Sequence, residues 1–146
     1  MNSLQSRCLC VAVSLLVAIC DQWTKHTVAM FGPQPVIASR PFLSLSYSEN
    51  TGGAWSAFHG HPYPLAAVGV VTMAAILLCR KYFSTSAQKI LMAIIFGGIL
   101  GNTIDRIFRG YVIDFIALDL QFYRWPTFNL ADCVICVGTL VFLFTF

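Results

Sequence analysis

Five aspartates lie within or beside long apolar runs of this sequence: Asp21, Asp105, Asp114, Asp119 and Asp132. Ionisable side chains in such segments are costly, so they are candidates for function. Two carboxylates brought close together share a proton, and the pair can activate a water as base and protonate a leaving group as acid. Such a pair would hydrolyse a peptide bond, whereas a chain of carboxylates could equally form a proton or ion pathway.

Two of these aspartates are the best candidates for a pair. No basic residue follows Asp132 in the sequence, and Asn129 precedes it by three positions, on the same side of a helix. Asp114 stands in the apolar segment Val112-Ile113-Asp114-Phe115. We expect the two carboxylates to meet if the segments that carry them pack as neighbours, although spacing alone leaves other partners open.

Composition indicates that these carboxylates are held in a membrane. Apolar residues make up 58% of the 146 residues and charged residues 10%, against about 25% charged in soluble domains. Four apolar runs approach the ~20 residues that a spanning helix needs. The sequence therefore predicts an all-α membrane protein, a single domain over residues 1–146, built as a four-helix bundle with spans at about 7–23, 64–79, 89–108 and 128–146.

Charge density predicts the orientation of the bundle. The short connection between Arg80 and Lys89 has three basic and no acidic residues, which marks it as cytoplasmic under the positive-inside rule. Both termini are then cytoplasmic, and the loops at about 24–63 and 109–127 face outward. In the first of these loops, Phe42-Leu43-Ser44-Leu45-Ser46-Tyr47 alternates apolar and polar residues, which predicts a small extracytoplasmic β platform.

The third apolar run combines small and charged residues. Gly97 and Gly101 form a G-x-x-x-G pair, and Gly98 widens the smooth surface, so these glycines are expected to let helices pack closely. Asp105 and Arg106 are adjacent, and we expect this acid and base to neutralise one another and bind neighbouring helices.

Other classes of function have weaker support. Cys133 and Cys136 form a C-x-x-C, but an apolar helix without a basic neighbour does not favour a reactive thiolate, and all six cysteines are expected to be reduced. His59 and His61 have no acidic or cysteine partner at ligand spacing, so we expect no metal and no cofactor. The basic residues are too scattered for a nucleic-acid surface. A cleaved lipoprotein signal peptide would need a small residue before its cysteine, and Ile19 stands before Cys20, which argues against cleavage. The sequence also lacks the inverted repeat that many transporters have.

Five segments together resemble lipoprotein signal peptidase, also called signal peptidase II, a bacterial family of membrane aspartic proteases. They span most of the chain in the family's order: Asp21-Gln22-Trp23-Thr24-Lys25, Asn50-Thr51-Gly52-Gly53-Ala54-Trp55-Ser56, Gly97-Gly98-Ile99-Leu100-Gly101-Asn102-Thr103-Ile104-Asp105-Arg106, Val112-Ile113-Asp114-Phe115 and Phe128-Asn129-Leu130-Ala131-Asp132.

The resemblance implies roles for the residues at these motif positions. Asp114 and Asp132 would be the catalytic aspartates, and Asp21 and Lys25 would stabilise the first helix and its exit. The remaining positions would order the site or bind substrate: Asn50, Gly98, Asn102, Asp105, Arg106, Asn129 and Ala131.

The resemblance also implies the substrate and the compartment. The enzyme would cut a diacylglyceryl-modified prolipoprotein just before its lipidated cysteine, as a monomer in contact with membrane lipid. It would lie in the bacterial inner membrane with its active site near the outer leaflet. The sequence departs from the family pattern at Gly53 and Trp55, where Ala and Phe are more common, and in lacking a basic tail after Phe146.

Overall fold

Four α-helices and three β-strands make up the part of the chain that the structure describes. The computed structural model describes residues 3–32, 38–40, 42–53 and 57–144. The helices are α1 Ser3–Met30, α2 Pro62–Cys79, α3 Ser86–Phe108 and α4 Leu130–Leu143, and a 3-10 helix, Arg80–Tyr82, follows α2. The strands are β1 Ala38–Arg40, β2 Leu43–Asn50 and β3 Val112–Leu118.

The apolar runs are helices, but their ends differ from the predicted ones. Three helices, α1, α2 and α3, are long and apolar enough to cross a membrane, whereas α4 is apolar but has 14 residues. The first helix continues to Met30, seven residues past the predicted end at Trp23, and within this extension Lys25 and Val28 are buried. The fourth begins at Leu130 instead of residue 128, since Asn129 caps it.

The helix starts agree with the capping residues. Thr85 caps α3 through a capping box with Gln88, and Pro62 occupies the first turn of α2, where the missing N–H is not needed. Both starts lie two to three residues before the predicted ones, because hydropathy leaves out the polar first turn.

Helix α3 lies in the centre of the bundle and contacts the three other helices. Side chains of α1 donate to main-chain oxygens of α3 at a constant sequence offset: the Ser14 hydroxyl to Ala93 O at 2.8 Å and the Gln22 amide to Gly101 O at 3.1 Å. A constant offset of this kind means that α1 and α3 run in the same direction. The two helices therefore bring their last turns, which are rich in charged residues, to the same end of the bundle.

The glycines of α3 allow these close approaches, as expected. A Cβ on Gly97 would lie 2.5 Å from Ser14 O of α1, and one on Gly101 would collide with the Asp21 carboxylate. On another side of α3, a Cβ on Gly98 would lie 2.9 Å from Ala131 O of α4. The three glycines thus fit two different helices against α3.

The small sheet is not confined to the first loop. It is antiparallel in the order β1-β2-β3, and β3 comes from the segment that follows α3. The run Val112–Leu118 is apolar on both faces, so it lacks the alternation that signals a strand, and it was expected only as a stretch near the membrane boundary. The predicted strand in the first loop is confirmed as β2, and Trp55 lies outside the described residues.

Candidate active site

Asp114 is the third residue of β3 and is almost fully buried. The ladder pairs it with Ser48 of β2, next to an irregularity in register between Leu45 and Ser48. Its two carboxylate oxygens accept from two asparagine amides, Asn50 Nδ2 at 2.9 Å and Asn129 Nδ2 at 2.7 Å. Asp114 is therefore a buried carboxylate that is held from both sides.

Asp132 lies in the first turn of α4, nearer the helix start than the sequence suggested. Asn129 and Asp132 form a reciprocal cap: the Asp132 main-chain N–H donates to Asn129 Oδ1 at 3.0 Å, and the Asn129 N–H donates to Asp132 Oδ2 at 3.2 Å. The other oxygen, Oδ1, accepts from Asn102 Nδ2 at 2.8 Å. The positive end of the helix dipole also favours a negative charge at this position.

A short bridge between Ile116 and Phe128 brings the two aspartates to the same place. The Ile116 N–H donates to Phe128 O at 2.8 Å, and the Phe128 N–H donates to Ile116 O at 3.0 Å. The chain that leaves β3 therefore returns alongside it immediately before α4 begins. This return sets the first turn of α4, with Asp132, beside the strand that carries Asp114.

Two amides connect the aspartates to one another. Asn129 Nδ2 donates both to Asp114 Oδ1 and, at 3.2 Å, to Asn102 Oδ1, while Asn102 Nδ2 donates to Asp132. Burial, the largest cause, and the negative charge of Asp132 together raise the pKa of Asp114 to about 6, although the hydrogen bonds from Asn50 and Asn129 act in the opposite direction. A carboxyl with such a pKa can hold a proton near neutral pH, as acid-base catalysis requires.

The adjacent residues Asp105 and Arg106 do not pair, contrary to the expectation. Asp105 is fully buried and lies 2.8 Å from Lys25 Nζ of α1, with Arg109 at 3.6 Å. Consecutive residues on a helix point in different directions, so an ion pair between them was the wrong expectation. Instead, Arg106 Nη2 donates to Gly52 O at 3.0 Å, which ties the loop after β2 to α3.

Asp21 and Lys25 lie inside the bundle and are not at the exit of α1, since the helix continues past them to Met30. Both are fully buried, and they form an ion pair of 2.7 Å one helical turn apart. Asp21 Oδ1 also accepts from the Ala131 main-chain N–H at 3.0 Å, at the start of α4. Ala131 is fully buried, and the small residue Gly98 faces its carbonyl oxygen.

A cavity of about 440 Å³ opens onto both aspartates. Asn50, Asn102 and Arg106 line its polar part. The other lining residues come from the loop before α4, from α4, from the first loop and from the strands: Trp125, Pro126, Thr127, Phe128, Ile135, Cys136, Gly53, His59, Ser48, Glu49 and Val112. The cavity is thus lined by the two aspartates, by other polar side chains and by apolar residues.

Some residues that contact the site or hold its elements together were not predicted as site residues from the sequence. Gln22 donates to Asp105 Oδ1 at 3.1 Å, and Phe128 forms the bridge that joins β3 to α4. Both stand inside motifs noted in the sequence, but their types carry no signal of their own. Glu49 was not among the predicted site residues, yet it belongs to β2 and lines the cavity.

The cysteines and histidines that were considered for thiol chemistry or metal binding do not form a separate site among the described residues. All six cysteines are free; Cys136 lines the cavity, whereas Cys133 does not. His59 is exposed on the turn at 57–60. In the part of the chain that the structure describes, no three His, Cys, Asp or Glu side chains are grouped so as to hold a metal ion.

Comparisons with known proteins agree on one family. The family model described as Signal peptidase (SPase) II matches residues 13–146. A lipoprotein signal peptidase of Thermodesulfovibrio yellowstonii is 39% identical over 132 residues, 88% of this chain and 88% of that protein. One of Serratia proteamaculans is 40% identical over 136 residues, 89% of this chain and 79% of that protein.

Solved structures give the same fold. A structure described as a bacterial membrane enzyme, determined in meso at 2.3 Å resolution, superposes with a TM-score of 0.85 at 26% identity, over 94% of this chain and 86% of that chain. A second, at 1.9 Å resolution, superposes with a TM-score of 0.82 at 26% identity. The similarity therefore extends over almost the whole chain.

Proposed function

We propose, on the premise that the chain belongs to the signal peptidase II family, that it is an aspartic endopeptidase that removes signal peptides from diacylglyceryl-modified prolipoproteins. The observation that carries the proposal is the pair Asp114 and Asp132, hereafter the dyad. Their carboxylates line one cavity and are joined through Asn102 and Asn129. Carboxylates that share a proton can act as base and acid in the same reaction.

The reaction follows from the chemistry of the dyad. The ionised carboxylate takes a proton from water, whose oxygen attacks the carbonyl carbon of the residue before the lipidated cysteine. The protonated carboxyl then donates its proton to the leaving nitrogen as the peptide bond breaks. The products are a signal peptide with a new carboxylate and a lipoprotein with a free α-amino group. Arg106 and Asn50, on the cavity wall, bind the substrate backbone.

The shape of the cavity supports a lipid-modified substrate. Its apolar residues Val112, Phe128 and Ile135 line the same cavity as the dyad. Helices α1, α2 and α3 are long and apolar enough to cross a membrane, which supports a site within a membrane protein. The diacylglyceryl chains can remain in lipid while the peptide bond reaches the dyad. In this proposal the enzyme acts as a monomer in contact with membrane lipid.

The proposed location is the bacterial inner membrane, with α4 as the fourth span and both termini in the cytoplasm. The basic connection from Arg80 to Lys89 supports this orientation. It joins α2 to the start of α3, whereas Asn102, Asp105 and Arg106 lie in the last turns of α3, at the opposite end of the helix. The dyad and the sheet then lie at the outer leaflet.

The test is cleavage of a purified diacylglyceryl prolipoprotein in liposomes. Asp114→Asn and Asp132→Asn should each fold and lose at least about 1,000-fold in kcat, because the shared proton or its acceptor is gone. Asp119→Asn is the matched control: this aspartate is exposed, pairs with Arg124 at 3.5 Å and lies outside the cavity, so the rate should not change. Retained turnover in either dyad variant would disprove the aspartic mechanism.

Two further arms separate this function from others. The double variant Cys133→Ala with Cys136→Ala should keep most of the rate, whereas a thiol enzyme would lose it entirely. The same prolipoprotein without its diacylglyceryl group should remain uncut. Equal cleavage with and without the lipid would leave a peptidase but exclude the proposed substrate class.

A further inference from the structure

Lys25 is a buried cation that touches more than its ion-pair partners. Its side chain is fully buried, and Nζ lies 2.7 Å from Asp21 Oδ2 and 2.8 Å from Asp105 Oδ2. It also donates to Asn102 Oδ1 at 2.8 Å. The ammonium of Lys25 thus has two carboxylate oxygens at ion-pair distance and donates a hydrogen bond to one neutral amide.

The amide of Asn102 therefore has only one favourable orientation. Its oxygen accepts from Lys25 and from Asn129 Nδ2, and its nitrogen donates to Asp132 Oδ1. A flipped amide would turn its NH₂ group toward the ammonium and its oxygen toward the Asp132 carboxylate. Both contacts would be repulsive, and the ammonium of Lys25 is fully buried, so Lys25 favours the orientation in which the nitrogen of the amide faces Asp132.

The same link reaches the other aspartate. Asn129, which donates to the oxygen of Asn102, also donates to Asp114 Oδ1. The charges that face Asp114 are Asp132 from α4, Lys25 from α1 and Arg106 from α3. Of these, the positive charge of Lys25 opposes the rise in the pKa of Asp114 that burial and Asp132 cause.

We propose that Lys25 is a positioning residue for peptide cleavage, which orients Asn102 and thereby the dyad, in addition to neutralising buried charge. The proposal rests on the aspartic function argued above. The first helix would then contribute to the reaction, although Lys25 is far from Asp114 and Asp132 in the sequence.

Gln22 offers a matched control on the same helix. Its amide donates to Gly101 O and Asp105 Oδ1, both at 3.1 Å, so it joins α1 to α3 much as Lys25 does. It has no hydrogen bond to Asn102, Asn129 or the dyad among the described residues. A loss of helix packing alone should therefore appear equally in Gln22→Met and in Lys25→Met.

The experiment compares Lys25→Met, Lys25→Arg and Gln22→Met in the liposome assay. For each variant we would measure kcat, KM, the pH dependence of kcat/KM and the midpoint of thermal unfolding. We expect Lys25→Met to lower kcat on the order of 10- to 100-fold, as misplaced catalytic groups do. It should also move the alkaline limb of kcat/KM to higher pH, because a positive charge near Asp114 is lost. Lys25→Arg should restore the position of that limb.

Gln22→Met should lower the thermal midpoint and leave the pH profile at its wild-type position. If Lys25→Met does not fold, the double variant Lys25→Met with Asp21→Asn removes the surplus negative charge and leaves Asp105 beside Arg109. The proposal is overturned if the Lys25 variant that folds has the wild-type pH profile and loses no more activity than Gln22→Met. Failure of the aspartic function itself would be seen separately, as undiminished cleavage by Asp114→Asn.

Discussion

At the scale of single residues, asparagine amides and main-chain N–H groups hold the two aspartates. Asp114 accepts from Asn50 and Asn129, and Asp132 accepts from Asn102 and from the N–H of Asn129. A direct ion pair would lower the proton affinity of a carboxyl strongly. Neutral donors orient the carboxylates and still allow one of them to keep a proton.

The pKa of Asp114 predicts how the rate depends on pH. The active dyad carries one proton, so kcat/KM should fall as pH rises through the upper apparent pKa of the pair, near the value of about 6 found for Asp114. Asn50→Ala removes a hydrogen bond that stabilises the ionised form, so this limb should move to higher pH by about one unit. The measurement is the pH profile of kcat/KM with the lipidated substrate.

Asp119→Asn serves as the control for this shift, since an exposed carboxylate outside the cavity should leave the profile in place. An alkaline limb that stays at the same pH in Asn50→Ala would show that Asp114 does not titrate in the active pair.

The sequence predicted the candidate aspartates of the site better than it predicted the ion pairs that surround them. Residue type, apolar surroundings and the family motifs singled out Asp114 and Asp132, and the structure places both on one cavity. The pairing of Asp105 with Lys25 was missed, because these residues are 80 positions apart and the ion pair depends on how α1 packs against α3. Motif spacing carries no information on such a contact.

At the scale of elements, the start of α4 combines a helix cap with contacts to the proposed dyad. Asn129 caps the helix with its side-chain oxygen and binds Asp114 and Asn102 with its side-chain nitrogen. The oxygen of a serine can replace the cap, but serine cannot reach both partners as an amide does. The two functions of one side chain can thus be separated by substitution.

Asn129→Ala should lower the free energy of unfolding by about 1 kcal/mol or more through loss of the cap and should abolish cleavage. Asn129→Ser should keep most of the stability yet lose activity to a similar degree, because Asp114 loses its donor. Thermal unfolding and the cleavage assay measure the two effects. Full activity in Asn129→Ser would show that the amide donor is not needed.

The elements themselves were only partly predictable. Helices α2 and α3 lie close to the predicted spans because a long apolar run in lipid must pair its own backbone N–H and C=O groups, which an α-helix does. Strand β3 was missed because it is buried on both faces and resembles a short helix segment in hydropathy. The last seven residues of α1 were missed because buried ion pairs keep polar residues helical there.

At the scale of the whole molecule, the proposed topology separates basic and catalytic ends. A cysteine-free variant with Lys81→Cys or Phe122→Cys tests it in intact cells; both positions are exposed, and Phe122 lies in the loop before α4. We expect a membrane-impermeant maleimide to label the cysteine at position 122 directly and that at position 81 only after the membrane is permeabilised. The reverse pattern would place the dyad on the cytoplasmic side.

The ion pair within α1 has a consequence for biosynthesis. Asp21 and Lys25 are one turn apart, so they can pair as soon as the first helix forms, before Asp105, Asn102 and Ala131 have been translated. The nascent helix can therefore leave the translocon with these two charges already neutralised. In the folded protein the same two side chains bind Asp105 and Asn102 of α3 and the main chain of Ala131 in α4, so a pair that can form within α1 alone also joins it to α3 and α4.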